Sequence, residues 1–189
     1  MEGTALALAQ KKAQRGRRTI VFIDENGISE RPTRVRTWAP VGQTPVLQYS
    51  FRCTSLSAIA GITFWRFYFG LFAGAIRSAQ LIEFLSALGQ QIRGRLLVIW
   101  DRLPVHKSPL VRSYVESRGD KFVPETLPAY APELNPVEYI WAHMKQRELA
   151  NPSLETIGQV GAYARNRLKS MQPRPRIIAA CWKQAELPI

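Results

Sequence analysis

The stretch TIVFIDENG, residues 19–27, indicates the fold of this chain. Residues 19–23 form a continuous apolar or β-branched run, which is typical of a strand buried on both faces, and the polar residues after them predict that the strand ends in a turn at Asp24. The stretch LLVIWD, residues 96–101, repeats this pattern and ends at Asp101. Two such strands are typical of the centre of a sheet that helices cover on both faces.

The flanking segments complete the predicted order of elements. Further strands are predicted at residues 34–38, 56–62, 64–72 and 121–127. Apolar residues at helical spacing predict helices that begin at Ser78, Ser108, Asn135 and Ser153. The order βββ, α, β, α, β, α, α predicts an α/β fold with a mixed sheet, in which three antiparallel strands precede parallel strands and helices flank the sheet.

The charge of the chain favours a polyanionic partner. Its 189 residues suffice for one globular domain, and 26 Lys and Arg against 14 Asp and Glu give a net charge of +12. Such a surplus of positive charge favours nucleic acid as the binding partner. A basic membrane-surface protein is disfavoured, because the longest apolar runs are far too short to span a bilayer. The N-terminus carries no secretory signal, so we expect a cytoplasmic protein without a membrane partner.

A basic segment, residues 10–18, precedes the first strand. It is either a solvated tail or an arm that contacts DNA phosphates, and its sequence alone does not separate these interpretations. The chain is therefore divided into a basic N-terminal segment, residues 1–18, and one globular domain, residues 19–189, which includes the C-terminal helices.

Carboxylates at two strand ends predict a site for divalent ions. Open α/β sheets place their sites at the carboxyl ends of central strands, where Asp24 and Asp101 fall. Two close anions are costly unless a cation lies between them, and Mg²⁺ prefers such oxygen ligands. One aspartate after a strand is more often a solvated turn residue. Two of them, on the only wholly apolar predicted strands of a basic chain, favour a site that handles phosphates.

Glu138 is the candidate for a third carboxylate ligand. With Asn135 as the N-cap and Pro136 as the first helical residue, Glu138 stands at the third helical position, where a glutamate can cap its own helix. On this segment alone, capping is the favoured interpretation. The two roles are partly compatible, because a helix N-terminus keeps a carboxylate ionised and ready for a metal.

Four stretches of the chain are informative together: VFIDENG (residues 21–27), RTWAPVGQTP (36–45), VIWDRLPVHKS (98–108) and LPAYAPELNPVEYIW (127–141). They resemble the DDE transposases of bacterial insertion sequences, which are related to the mariner elements. The last stretch is the most specific, because the loop, the Asn-Pro turn and the glutamate occur together and in order. The resemblance extends over roughly residues 15 to 170.

The resemblance implies an RNase H-like fold and the catalytic domain of a transposase. Asp24, Asp101 and Glu138 would be the catalytic residues and would bind Mg²⁺ or Mn²⁺, as two ions, so that capping would not be the main role of Glu138. The reaction would be DNA cleavage at the end of a mobile element, followed by strand transfer into target DNA. The alternatives are an RNase H-like nuclease without strand transfer and a non-catalytic DNA-binding remnant of a transposase.

The resemblance also implies partners and a location. The DNA would comprise the terminal inverted repeats of the element and target DNA at TA dinucleotides, held by a homodimer that bridges two ends. Such transposases usually begin with helix-turn-helix domains, and none precedes residue 19. An upstream helix-turn-helix polypeptide is therefore an expected partner. The protein would be bacterial, cytoplasmic and associated with the nucleoid.

Several basic side chains and one histidine are candidates for DNA contact. The residue after Asp101 is an arginine where many relatives carry asparagine or another small residue, and a cation at this position can either pair with Asp101 or contact phosphate. The complete set of candidates is Arg102, His106, Lys107, Lys145, Arg17 and Arg18.

Overall fold

The structure is a computed structural model that describes residues 10–29, 40–42, 55–128, 131–149, 154 and 156–185. The strands are β1 Arg18–Ser29, β2 Ser55–Ile62, β3 Phe67–Ala73, β4 Arg95–Trp100 and β5 Phe122–Thr126. They form one sheet in the order β3-β2-β1-β4-β5. The pairs β1–β2 and β2–β3 are antiparallel, whereas β1–β4 and β4–β5 are parallel. The predicted mixed sheet is therefore confirmed. The strand predicted at 34–38 lies outside the described residues.

Six α-helices accompany the sheet within the described part of the chain. The described part of α1 covers residues 10–16, and the others are α2 Ser78–Gln91, α3 Pro109–Ser117, α4 Pro136–His143, α5 Ile157–Met171 and α6 Pro175–Gln184. A π-helical turn, Met144–Glu148, continues α4. No helix among the described residues is long and apolar enough to cross a membrane.

The central strand β1 is buried on both faces, as its apolar run predicted. Val21 and Ile23 belong to the hydrophobic core beneath α2 and α3. Phe22 and Ile28 belong to the core beneath α4, α5 and α6. Because successive side chains of a strand point to opposite faces, this alternation assigns every residue of β1 to one helical layer or the other.

The turn predicted after residue 23 is wrong, because β1 continues to Ser29. Asp24 pairs with Ala60 of β2, and the antiparallel register runs on to the pair Ser29 and Ser55. An Asn-Gly sequence is a strong local turn signal, but the backbone hydrogen bonds offered by β2 override it here.

Two other element boundaries differ from the predicted ones. The third antiparallel strand begins at Phe67 rather than at residue 64, because a tight turn precedes it, in which the Thr63 N–H donates to Arg66 O at 2.8 Å. The helix expected from Ser153 begins at Ile157, because Thr156 is its N-cap and accepts a hydrogen bond from the Gln159 N–H. Ser153 itself lies outside the described residues.

Candidate active site

Asp24 and Asp101 lie at the same level of the sheet. The parallel pairing of β1 with β4 ends at Phe22 and Ile99. Each aspartate follows the last paired residue of its own strand by two positions, so the two carboxylates flank the point at which β1 and β4 separate. β1 carries Asp24 within a continuing strand, whereas Asp101 is the first residue after β4.

The first turn of α4 carries Glu138. Asn135 caps this helix, since its side chain accepts a hydrogen bond from the Val137 N–H at 3.2 Å. The backbone N–H of Asn135 donates to Pro132 O at 2.9 Å, so it is satisfied without the glutamate. Capping of α4 therefore does not require Glu138, whose side chain is exposed.

The three carboxylates line one cleft of about 440 Å³. Asp24 comes from β1, Asp101 from the end of β4 and Glu138 from α4, so three separate elements converge on it. The remaining walls of the cleft are Arg102, Leu103, Pro104, Leu127, Pro128, Ala131, Pro132 and Asn135. The three residues predicted as metal ligands thus line the same cleft, although residues 24 and 138 are far apart in the chain.

Asp24 is the most strongly perturbed carboxylate of the cleft. Only 7% of the residue is exposed. Burial and, to a lesser degree, the nearby carboxylates of Glu138, Glu25 and Asp101 together raise its pKa to about 8, although a hydrogen bond from Trp141 acts in the opposite direction. That bond runs from Trp141 Nε1 to Asp24 Oδ2 at 2.8 Å. A buried carboxylate among other carboxylates is stable as an anion only beside a cation.

The residues present fit a divalent metal. The cleft offers carboxylate oxygens from three elements, which are the ligands that Mg²⁺ and Mn²⁺ prefer. Beside it, Glu25, Asp101 and His106 bring possible ligand atoms within 4.8 Å of one another. The Glu25 Oε2 atom is also buried without a hydrogen-bond partner among the described residues. The local excess of negative charge is what a divalent ion would neutralise.

The basic candidates near the cleft occupy different positions. Arg102 lines the cleft, and its Nε donates to Leu127 O at 3.3 Å, so the Arg102 side chain is anchored to another residue that lines the cleft. Lys145 Nζ donates to Asn26 Oδ1 at 2.8 Å, and Lys107 is exposed. Lys107 and Arg102 are thus accessible to a ligand, whereas Lys145 is half-buried against β1.

Arg17 and Arg18 lie at the other end of β1. Arg18 Nη1 donates to Asp120 O at 2.9 Å, and its Nη2 pairs with the Asp120 carboxylate, so its charge is already compensated within the domain. Arg17 is exposed. Arg18 lies six strand positions before Asp24, which corresponds to about 20 Å. A DNA contact by this segment would therefore lie well away from the carboxylate cleft.

Two residues of the site were missed at the level of sequence. Glu25 was assigned to a turn, although the alternation of β1 would have placed it on the face opposite Asp24. Trp141 lies on the buried face of α4, and its indole N–H reaches Asp24. A buried tryptophan needs a partner for that N–H, and this requirement was the available signal.

The stability of the metal-free protein should fall as the pH rises from 6 to 8. Folded Asp24 keeps its proton up to about pH 8, whereas the unfolded carboxyl, with a reference pKa of 3.8, is ionised throughout this range. The pKa of His106 is lowered by burial but raised overall by Glu25 and Asp101, so its contribution is also lost at high pH. In both cases the folded state binds more protons than the unfolded state does, so stability falls as the pH rises.

The measurement is the melting temperature of the protein in EDTA at pH 6, 7 and 8. Mg²⁺ should raise it most at pH 8, and a flat or rising profile in EDTA would contradict the assignment.

The family model described as DDE superfamily endonuclease matches residues 19–160. No curated protein sequence matches the chain. Among solved structures, the chain is similar to the Mos1 mariner paired end complex with Mn, with a TM-score of 0.68 and 21% sequence identity over 97% of this chain and 59% of that chain.

Two further structures show the same likeness. The Mos1 Strand Transfer Complex gives a TM-score of 0.60 at 19% identity, over 95% of this chain and 60% of that chain. The catalytic domain of Mos1 mariner transposase gives 0.55 at 18% identity, over 98% of this chain and 92% of that chain. The chain thus spans about three fifths of the protein in the two complexes and nearly all of the isolated catalytic domain. These matches confirm the RNase H-like fold that the resemblance implied.

Proposed function

Because the chain belongs to the DDE superfamily of endonucleases, we propose that it is the catalytic domain of a transposase, which cleaves DNA with divalent metal ions and joins the cut end to a target. The observation that carries the proposal is the convergence of Asp24, Asp101 and Glu138 on one cleft from three different elements. The fold likeness to Mos1 structures, solved as a paired end complex and a strand transfer complex, supports it.

In this proposal the three carboxylates hold the metal. Bound divalent ions would act as Lewis acids on the phosphodiester that is cleaved. Asp24 is fixed by the Trp141 N–H on Oδ2, so that its orientation does not depend on the ion. Glu138 adds a carboxylate from α4, where the N-terminal end of the helix dipole favours the ionised form. We extend the proposal to two ions, the number that phosphoryl-transfer enzymes with such sites use.

The proposed substrate is double-stranded DNA. The net charge of +12 supports phosphate binding, and Arg102 and Lys107 are exposed cations in the segment that follows Asp101. We further propose that the DNA comprises terminal inverted repeats and a TA target, that the active form is a homodimer, and that a helix-turn-helix polypeptide assists recognition. We also propose that the protein is bacterial and is associated with the nucleoid, where such DNA is found.

Metal-dependent nicking tests the enzymatic part of the proposal. The purified chain should nick supercoiled plasmid in Mg²⁺ or Mn²⁺ and should stop when EDTA is added. The rate should fall steeply between about 50 and 200 mM salt, because phosphate contacts release counterions. If the chain binds DNA but leaves it intact with either metal, the alternative of a non-catalytic DNA-binding remnant is favoured.

Strand joining separates a transposase from a nuclease. A duplex with a pre-cut 3′-hydroxyl end should become covalently joined to target plasmid in the presence of Mg²⁺. Nicking without any joined product would favour an RNase H-like nuclease. A matched duplex with a 3′-dideoxy end is the control, because it lacks the attacking hydroxyl and should give no joined product.

A further inference from the structure

The site contains a histidine whose two ring nitrogens both face carboxylates. His106 lies in the 3-10 turn Pro104–Lys107, which begins three residues after Asp101. Its Nδ1 lies 3.0 Å from Asp101 Oδ1 and 3.1 Å from the Asp101 backbone O, and its Nε2 lies 3.0 Å from Glu25 Oε1. Only 1% of its side chain is exposed, so it lies behind Asp101 rather than in the open cleft.

The surroundings hold the imidazole ring in one orientation. The ring stacks on Trp100, with centroids 4.6 Å apart and 8° between the planes. Stacking fixes the plane of the ring, and the carboxylates on its two opposite edges fix its rotation within that plane. The two nitrogens point in different directions, so one metal ion could not replace both contacts.

The side-chain contacts from Glu25 through His106 to Asp101 connect β1 with the end of β4, beyond the point where the backbone pairing of these two strands stops. The last β1–β4 pair is Phe22 and Ile99, and no ladder bond in the described sheet ties Asp101 to β1 beyond that level. Glu25 is on β1, and its side chain is 10% exposed. Through His106, the carboxylate of Asp101 is therefore tied to β1 by side chains where main-chain bonds are lacking.

We propose that His106, held by Glu25, is a positioning residue that fixes the Asp101 carboxylate for a divalent ion. The proposal rests on the metal-binding role of Asp101 proposed above. Asp101 Oδ1 also accepts a hydrogen bond from the Leu103 N–H at 3.0 Å, so both fixed contacts use Oδ1 and leave Oδ2 for an ion. Residues that orient a metal ligand from behind typically change metal affinity or activity by about 10- to 100-fold when they are replaced.

The test compares Mn²⁺ binding by His106→Phe, His106→Asn and wild-type protein, measured by electron paramagnetic resonance without DNA. Phenylalanine keeps a flat ring on Trp100 but has no nitrogen, and we expect Mn²⁺ binding about 10- to 100-fold weaker. Asparagine places an amide nitrogen near the Nδ1 position, so it should restore part of the affinity. His143→Asn is the matched control, since His143 contacts Glu148 outside the cleft, and it should bind Mn²⁺ like the wild type.

A second measurement excludes a merely structural role. In the nicking assay, His106→Phe should lower kcat while the KM for DNA changes less than about threefold, because a buried residue does not contact the substrate. Should His106→Phe fail to fold by circular dichroism, His106→Gln serves instead, because its longer side chain can bring an amide to the Nε2 position and keep the contact with Glu25 while it loses the Nδ1 contact with Asp101, so it should weaken Mn²⁺ binding. Unchanged Mn²⁺ affinity in a folded variant would overturn the inference. Wild-type protein that binds Mn²⁺ but never nicks DNA would instead overturn the proposed function.

Discussion

Replacing Asp24 with asparagine should abolish metal-dependent nicking and, at the same time, stabilise the metal-free protein. The amide cannot serve as an anionic ligand, and metal ions contribute several kcal/mol to phosphoryl transfer, so the rate should fall by about a thousandfold or more. The same change removes a charge that is 7% exposed and surrounded by other carboxylates. Asparagine Oδ1 can still accept the hydrogen bond from Trp141.

The stability gain follows from the direction of the pKa shift. At pH 8 the wild-type carboxylate is partly ionised in a site that raises its pKa to about 8, and this disfavours folding, whereas asparagine carries no charge. We expect the melting temperature in EDTA to rise by about 5 °C, as a gain of about 2 kcal/mol would give in a domain of this size. Excess Mg²⁺ should stabilise the wild type and leave the variant unchanged.

Two other carboxylate variants serve as comparisons. Asp101→Asn should lose nicking to a similar degree but gain little stability, because 40% of the Asp101 side chain is exposed. Glu133→Gln removes an exposed charge from the neighbouring 3-10 turn, outside the carboxylate cleft, and should retain full activity. Nicking by Asp24→Asn or Asp101→Asn at the wild-type rate would show that these carboxylates are not the catalytic ones.

Replacing Trp182 with alanine should produce the largest loss of stability. The Trp182 ring stacks on Phe64 with centroids 4.5 Å apart and meets Phe22 edge-on at 5.5 Å. Its Nε1 donates to Thr63 O at 3.0 Å, so α6 is attached both to the central strand and to the turn that follows β2. Removal of such a side chain costs about 3–5 kcal/mol, which lowers the melting temperature of a domain of this size by about 10 °C.

Trp65→Ala is the matched control for Trp182→Ala. Trp65 is 82% exposed in the same turn, so its loss should change the free energy of unfolding by less than about 0.5 kcal/mol. Trp182→Phe should lie between the two, since it keeps most of the apolar contact and loses one hydrogen bond worth about 1 kcal/mol. Urea unfolding followed by tryptophan fluorescence and by circular dichroism measures all three. Equal stability of the Trp182→Ala and Trp65→Ala variants would contradict the packing described here.

Features that depend on local sequence were predicted well. The continuous apolar run before Asp101 forms β4, because a strand between two helical layers needs apolar side chains on both faces. Ser108 and Asn135 are N-caps with proline next to them, and α3 and α4 begin where these residues indicate. Each of these signals acts within a few residues.

Features that depend on distant partners were not predictable in the same way. The continuation of β1 past Asp24 depends on pairing with β2, which outweighs the Asn26-Gly27 turn signal. The contact between Trp141 and Asp24 joins residues 117 positions apart, and the contact of Glu25 with His106 joins residues 81 positions apart. Periodicity identifies such residues as buried or polar but does not say which of them meet.

The location of Glu138 on α4 has a practical consequence for handling this domain. α4 contacts α6 more than any other α-helix, so the position of one proposed ligand depends on a helix near the carboxyl end of the described chain. Shortening the protein into α6, to improve expression or crystal growth, would remove the helix that supports this ligand and would also remove Trp182. A truncated version should therefore lose both stability and the position of Glu138.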